Sequence, residues 1–190
     1  MLEDLGGRID GIVDDGPTGV GLESTVVELA GEHTIRILRP GGITHEMLER
    51  AVPGAVVDSA SLEGQEEAPR SPGMKYTHYA PMGELELVQG EPQLVVRYIQ
   101  EQVREAQRRG EKTGVLAFEE SLSLYAADYV CSLGSEQELE SAAQRLYASL
   151  RAFDAAGTQR IWAEVCVEQG IGTALMNRLM KAAGNRIIRL

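Results

Sequence analysis

The sequence predicts an α/β protein made of a strand-rich segment (residues 1–59), a linker (60–84) and a mainly parallel, three-layer unit (85–190). Three observations support this division. β-Branched runs dominate the first segment, proline and glycine interrupt the second, and the third alternates short apolar runs with long helical patterns. A chain of 190 residues is long enough to bury a hydrophobic core.

In the first segment, two β-branched runs over 23–30 and 33–40 are joined by a short turn and predict a hairpin. Thr44 is placed to cap a short helix that runs to Arg50. A further short strand is predicted over 55–58.

Arg39 is the most informative residue of the hairpin. Period-two alternation places it on the same side as Ile35 and Ile37, directly before the Pro40–Gly41–Gly42 stop. An arginine that continues an apolar face at a strand end indicates the mouth of a pocket. The alternative is an arginine that passes over the rim of the core.

The third segment alternates strands and helices, which implies a parallel sheet with helices on its faces. Pro92 suits the first turn of a helix that ends at Gly110. A longer helix is predicted from Ser135, with Glu138 completing a capping box. The remaining predicted elements are strands over 85–90, 113–118, 127–133 and 160–165, and a last helix over 170–184.

Charge and hydropathy exclude two broad classes of partner. The chain has 29 acidic and 18 basic residues, a net charge of −11, and residues 1–59 alone hold 11 acidic and 4 basic ones, a net −7. General nucleic-acid binding needs a basic face, and none is visible in this acidic sequence. Any polyanion therefore has to be held by a few individually placed cations. No apolar run approaches the roughly 20 residues of a membrane span, so no membrane partner is predicted.

The sequence predicts neither a metal site nor a classical nucleotide loop. Cys131 and Cys166 stand 35 residues apart, without a CxxC pair or a neighbouring histidine pair, so zinc is not expected. Both lie in apolar runs and are interpreted as small buried residues with reduced thiols, which favours the cytoplasm. The glycine-rich segments lack both the GK[ST] ending and the GxGxxG pattern.

The second half of the linker differs from a plain spacer. Residues 71–81 carry Lys75, Tyr76, His78 and Tyr79 between proline and glycine residues. Aromatic and basic side chains in a proline-stiffened loop suit a strap that folds over a ligand, although docking on the protein's own surface would use the same composition.

Several segments together resemble one known family. They are GPTGVGLESTVVEL (16–29), RILRPGGIT (36–44), SPGMKYTHYAP (71–81), and LRAFD with GIGTALMNRLMKAA (150–154 and 170–183). In this order they resemble the two-domain threonylcarbamoyl-AMP synthases, in which a YrdC-like catalytic domain is followed by a linker and a Rossmann-like C-terminal domain. The resemblance spans nearly the whole chain.

The resemblance implies an activity and its partners. The family converts ATP, L-threonine and bicarbonate into L-threonylcarbamoyladenylate and pyrophosphate, with Mg²⁺ expected to accompany ATP. A threonylcarbamoyl transferase complex then modifies an adenosine of certain tRNAs, so contact with tRNA is expected to be indirect. The implied localisation is cytoplasmic.

The resemblance also implies roles for individual residues. Ser24 and Thr25 are assigned to the threonine and carbamate end. Arg39 is assigned to ATP, since a planar guanidinium can hold two phosphate oxygens. The other implied ATP-binding residues come from the linker, where a closed strap would exclude water: Lys75, His78 and Tyr79. No catalytic residue is assigned.

The family's catalytic domain normally begins before the position that matches Met1, and its upstream part carries further nucleotide- and threonine-binding motifs. The chain is therefore expected to be N-terminally truncated and, in isolation, inactive or weakly active. An alternative is a non-catalytic nucleotide- or protein-interaction module that docks the missing catalytic half or the transferase. An RNA-binding accessory is a third hypothesis, against which the −7 of residues 1–59 argues.

Overall fold

Two sheets form the framework of the protein. The computed structural model describes residues 5–16, 18–59 and 80–190. Within these ranges, the first segment forms a three-stranded sheet and the third forms a five-stranded one. The third segment, with its sheet and helices, contains most of the buried apolar side chains. The predicted α/β class is confirmed.

The three-stranded sheet begins with the predicted hairpin. Strands β1 (Val26–Gly31) and β2 (Thr34–Arg39) pair antiparallel, and β3 (Val56–Ser59) pairs parallel to β2. Helix α1 (His45–Ala51) connects β2 to β3, and Thr44 is its N-cap, as predicted.

An irregularity in the hairpin register affects Arg39. Ile37 aligns with Val27, whereas Arg39 aligns with Val26, so Leu38 is an extra residue on β2. A bulge of this kind interrupts the alternation of faces along a strand. The strict period-two pattern that placed Arg39 with the two buried isoleucines of β2 therefore stops at Leu38.

The five-stranded sheet is entirely parallel, as the alternation of strands and helices predicted. Its strand order is β6-β5-β7-β4-β8, so β4 lies between the last two strands of the chain. The strands are β4 (Glu84–Gln89), β5 (Thr113–Ala117), β6 (Tyr129–Ser132), β7 (Arg160–Glu164) and β8 (Ile187–Arg189).

Helices cover both faces of this sheet and complete the three layers. Helix α2 (Pro92–Arg108) packs on one face through Val95, Ile99, Val103 and Ala106. Helices α3 (Leu139–Ala156) and α4 (Ile171–Ala182) pack on the other. Burying one such apolar side chain contributes about 1.5–3 kcal/mol, so these faces hold the unit together. None of the described helices combines the length and the apolarity needed to cross a bilayer.

Helix α3 begins three residues later than predicted. Its N-cap is Glu138, which makes no side-chain capping bond, so the predicted capping box at Ser135 is wrong. The Ser135 hydroxyl instead donates to Glu120 at 2.6 Å and accepts from the Gln137 amide at 3.1 Å. Because these contacts hold residues 135–138 in a turn, the first helical residue is Leu139.

Candidate functional site

Ser24 and Arg39, to which the family resemblance assigned substrate-binding roles, lie in contact at the end of the hairpin. The Arg39 guanidinium donates to the Ser24 carbonyl from Nη2 at 2.9 Å and from Nε at 3.2 Å, and Nη2 lies 3.3 Å from Ser24 Oγ. Ser24 is exposed and Arg39 is half-buried. The structure thus places a cation and an exposed hydroxyl side by side.

Thr25 holds the loop that follows β2. Its hydroxyl donates to the Ile43 carbonyl at 2.7 Å and accepts from the Ile43 amide at 3.0 Å. A hydroxyl has one proton and two lone pairs, so one acceptor position of Thr25 is left for a ligand.

Gly41 makes close packing of this loop possible. A Cβ at this position would lie 2.3 Å from the Glu23 carbonyl oxygen and 2.5 Å from the Thr25 amide nitrogen. Such distances are far inside van der Waals contact, so any other residue would push the loop away from Ser24 and Thr25. The glycine therefore fixes the local shape of the site.

The structure adds residues of the C-terminal unit that the sequence analysis did not assign. Arg178 on α4 is 5% exposed, and its Nε lies 2.6 Å from Glu23 Oε2. Arg178 Nη2 donates to the Pro40 carbonyl at 3.2 Å, and Tyr147 on α3 donates to Glu23 Oε2 at 2.8 Å. The sequence carried one signal: Arg178 lies on the apolar helical stripe with Ala174, Leu175 and Ala182.

The contacts with Arg178 change the titration of its neighbours. Burial alone would raise the pKa of Glu23, but hydrogen bonds from Arg178 and Tyr147, together with the guanidinium charge, outweigh it and lower the pKa to about 2. Burial and the nearby charges of Arg178 and Arg39 lower the pKa of Lys181. Cationic groups thus converge on the hairpin although residues 1–59 are acidic overall.

The three linker residues assigned to ATP, Lys75, His78 and Tyr79, lie outside the described residues. Within residues 5–16, 18–59 and 80–190, no group of three or more histidine, cysteine, aspartate or glutamate side chains is arranged to hold a metal ion. Cys131 and Cys166 are free thiols, but only Cys166 is fully buried, so the expectation that both are buried is wrong for the half-buried Cys131.

A separate cleft of about 420 Å³ opens at the carboxyl ends of β4, β5 and β7. Carboxyl ends of parallel strands are common ligand sites. Among the described residues that line this cleft, three are glutamates (Glu120, Glu136 and Glu164) and none is basic. Because carboxylates repel phosphate groups, the cleft does not suit a nucleotide.

Comparison with known proteins shows that residues 43–184 match the family described as "Threonylcarbamoyl-AMP synthase, C-terminal domain". The chain belongs to the threonylcarbamoyl-AMP synthase family. The resemblance carried by the quoted sequence segments is therefore confirmed.

Curated relatives match along the whole chain. A threonylcarbamoyl-AMP synthase of Bacillus subtilis is 50% identical over 189 residues, and one of Pyrococcus abyssi is 39% identical over 190. The chain spans about half of these relatives, 53% and 54% of their lengths.

A solved structure supports the same conclusion. The crystal structure of Pyrococcus abyssi Sua5 complexed with L-threonine is 38% identical to the chain, with a TM-score of 0.87. The match covers 100% of this chain and 54% of that one.

Proposed function

We propose that this threonylcarbamoyl-AMP synthase chain takes part in making L-threonylcarbamoyladenylate and pyrophosphate from ATP, L-threonine and bicarbonate. The proposal keeps the division into a YrdC-like part (1–59), a linker or lid (60–84) and a Rossmann-like domain (85–190). The observation that carries it is the contact between Arg39 and Ser24, with Nη2 and Oγ 3.3 Å apart. The relative that binds L-threonine supports it.

The reaction brings negatively charged groups together. The amine of threonine joins the carbon of bicarbonate with loss of water, which gives a carbamate. A carbamate oxygen then attacks the α-phosphorus of ATP, and the bond to pyrophosphate breaks. Because the carbamate and the triphosphate repel one another, a cation placed between them stabilises the transition state.

Each residue of the proposed site has a defined task. Arg39 donates to phosphate oxygens through its planar fork, with charge-assisted hydrogen bonds. The exposed Ser24 hydroxyl contacts the carbamate, and Thr25 accepts from the threonine amine with its remaining lone pair. Lys75, His78 and Tyr79 close over ATP from the linker.

The wider setting is part of the same proposal. Mg²⁺ enters with ATP, since this ion is usually held by substrate phosphates and a few carboxylates. The product passes to a threonylcarbamoyl transferase complex, so tRNA is an indirect partner. The reaction takes place in the cytoplasm, where the free thiols of Cys131 and Cys166 stay reduced.

A chimera tests the proposal. The chain replaces the matching half of the Bacillus subtilis relative, and formation of threonylcarbamoyl-AMP is followed with ATP, L-threonine and bicarbonate, beside the chain alone. We expect the chimera to make product only when all three substrates are present, and the chain alone to make little. Arg39→Ala in the chimera should lower kcat/KM about 100-fold, as expected for a lost charge-assisted contact.

Arg36→Ala is the matched control, since Arg36 lies on the same strand and pairs with Glu28 at 3.6 Å. It should leave the rate within about twofold, as is usual for exposed ion pairs. A folded chimera that makes no product, or one in which both arginine variants behave alike, would contradict the proposal. The alternative of a non-catalytic interaction module is less favoured, because the curated relatives that match the whole chain carry the synthase name.

A further inference from the structure

Arg178 of α4 lies between the two backbone stretches that flank the proposed substrate residues. Glu23 precedes Ser24, and Pro40 follows Arg39. One guanidinium contacts both stretches, with Nε 2.6 Å from Glu23 Oε2 and Nη2 3.2 Å from the Pro40 carbonyl oxygen. The C-terminal unit therefore contacts the first segment directly before Ser24 and directly after Arg39.

We propose that Arg178 is a positioning residue for substrate binding: through Glu23 and Pro40 it fixes the separation and orientation of Ser24 and Arg39. The proposal rests on the proposed function, because it takes these residues to contact substrate. It gives the C-terminal unit a direct task in the reaction, although Arg178 itself is not assigned to any substrate.

The anchor is rigid on the side of the C-terminal unit. Arg178 is 5% exposed, and its helical neighbours Leu175 and Leu179 are fully buried at 0% in the core. Its third nitrogen, Nη1, donates to Asn177 Oδ1 at 2.6 Å. All three guanidinium nitrogens are thus engaged, which leaves the side chain little freedom to move.

The contacts of Arg178 with Glu23 and Pro40 affect Ser24 and Arg39 through adjacent covalent bonds and nearby hydrogen bonds. Arg39 donates to the Ser24 carbonyl at 2.9 Å, and Gly41 packs within van der Waals range of Glu23 and Thr25. A shift of the backbone at residue 23 or 40 therefore displaces Ser24 and Arg39 relative to each other. Displacements of about 1 Å are enough to lower the efficiency of an enzyme site by large factors.

The fork geometry explains why the residue is an arginine. One Arg178 nitrogen faces a carboxylate and another faces a carbonyl, and a planar guanidinium presents donors to both at fixed angles. A lysine ammonium supplies the charge but cannot reproduce the two directions. Arg178→Lys should therefore restore only part of the function lost in Arg178→Met.

A second contact between the units provides a matched control. Gln144 on α3 donates to the Gly19 carbonyl at 2.6 Å, four residues before Glu23. Gln144→Ala removes a hydrogen bond between the units that contacts neither residue 23 nor residue 40. If Arg178 served only to hold the units together, both variants would have similar effects.

Two measurements test the proposal. Hydrogen exchange of the Ile43 amide, which donates to Thr25 Oγ1 at 3.0 Å, reports the geometry of the site in the chain itself. The KM for L-threonine is measured in the chimera at a temperature where every variant is folded. In Arg178→Met we expect exchange at Ile43 and the KM to rise about tenfold each, the range expected for a lost charged hydrogen bond.

Exchange at Leu116 in the five-stranded sheet should be unchanged, as should both readouts in Gln144→Ala. Loss of folded protein lowers the apparent kcat but leaves the KM of the remaining enzyme unaltered, so a KM effect separates positioning from stability. Unchanged Ile43 exchange in Arg178→Met would overturn the inference. An inactive wild-type chimera would overturn the proposed function instead. Hydrogen exchange of the Ile43 amide in the chain itself would then decide alone whether Arg178 fixes the hairpin.

Discussion

Arg178 and Glu23 are separated by 155 residues in the sequence, yet Arg178 Nε lies 2.6 Å from Glu23 Oε2. Glu23 belongs to the segment before β1, and Arg178 to α4 of the C-terminal unit. The pair therefore makes one of the contacts between the hairpin and the C-terminal unit depend on the ionisation of a carboxyl group.

Glu23 predicts a specific loss of stability in acid. Its pKa is lowered from the ordinary 4.5 to about 2, so its contribution is fully present above pH 4.5 and is lost as the pH falls towards 2. Thermal unfolding between pH 6 and pH 2 measures this. The melting temperature of the wild type should fall more steeply than that of Glu23→Gln below pH 4.5.

Glu49→Gln provides the comparison for the acid experiment, since Glu49 forms an exposed pair with His45. Its melting curve should follow that of the wild type down to pH 2. Equal slopes for Glu23→Gln and the wild type below pH 4.5 would show that Glu23 does not couple proton binding to folding.

Glu164 predicts a large effect on the stability of the C-terminal unit. At the end of β7, its carboxylate accepts from the Phe118 amide at 2.8 Å, from Ser121 Oγ at 2.7 Å and from the Tyr125 hydroxyl at 2.6 Å. Burial and the contact with Glu164 raise the pKa of Tyr125. Glu164→Ala leaves these donors without their acceptor and should lower the free energy of unfolding by about 3 kcal/mol.

Chemical denaturation checks this value, with Glu91→Ala as the control. Glu91 is an exposed residue at the N-cap of α2 and makes no side-chain capping bond, so its loss should change stability by less than about 0.5 kcal/mol. A loss below 1 kcal/mol in Glu164→Ala would indicate that water replaces the carboxylate.

Substitution of Gly41 is predicted to weaken substrate binding more than it destabilises the fold. A Cβ there would lie 2.3 Å from the Glu23 carbonyl oxygen, whereas at Gly31 the nearest atom lies 4.0 Å away. Gly41→Ala should raise the KM for L-threonine in the chimera at least about tenfold, because the loop shifts away from Ser24. Gly31→Ala should leave the KM unchanged, and a similar KM in both variants would show that the loop position is not critical.

The two thiols predict different rates of modification. Cys166 is 6% exposed and burial raises its pKa to about 12, whereas Cys131 is half-buried. Because the thiolate is the reactive form, a thiol reagent at pH 8 should modify Cys131 first. Cys131→Ser should remove the fast phase and Cys166→Ser should keep it. After denaturation both thiols of the wild type should react; a fast phase retained by Cys131→Ser would contradict the prediction.

Local sequence patterns predicted a helix or a strand well where the residues of that helix or strand alone determine the pattern. The apolar stripe of α2 recurs at Val95, Ile99 and Val103, and all three are buried. The start of α3 could not be predicted in this way, because Glu120 from another loop competes for the Ser135 hydroxyl. The bulge at Leu38 likewise depends on how β1 aligns with β2.

The candidate site was predictable in part. Ser24 and Arg39 were placed together from the resemblance and from the position of Arg39 at a strand end, and the structure brings them within hydrogen-bonding distance. The positioning role proposed for Arg178 depends on its contact with Glu23, 155 residues away in the sequence. No local pattern specifies such a partner. Its position on an apolar helical stripe was the only local signal.

The strand order has a consequence for synthesis of the protein. Within the described part of the chain, β4 pairs only with β7 and β8. Residues 84–89 can therefore form their sheet hydrogen bonds only after residues 160–164 and 187–189 have been made. On the ribosome, both edges of β4 therefore stay unpaired until β7 has been made, and one edge stays unpaired until β8 has been made. Pairing over such long sequence separations slows folding and leaves strand edges exposed to aggregation in the meantime.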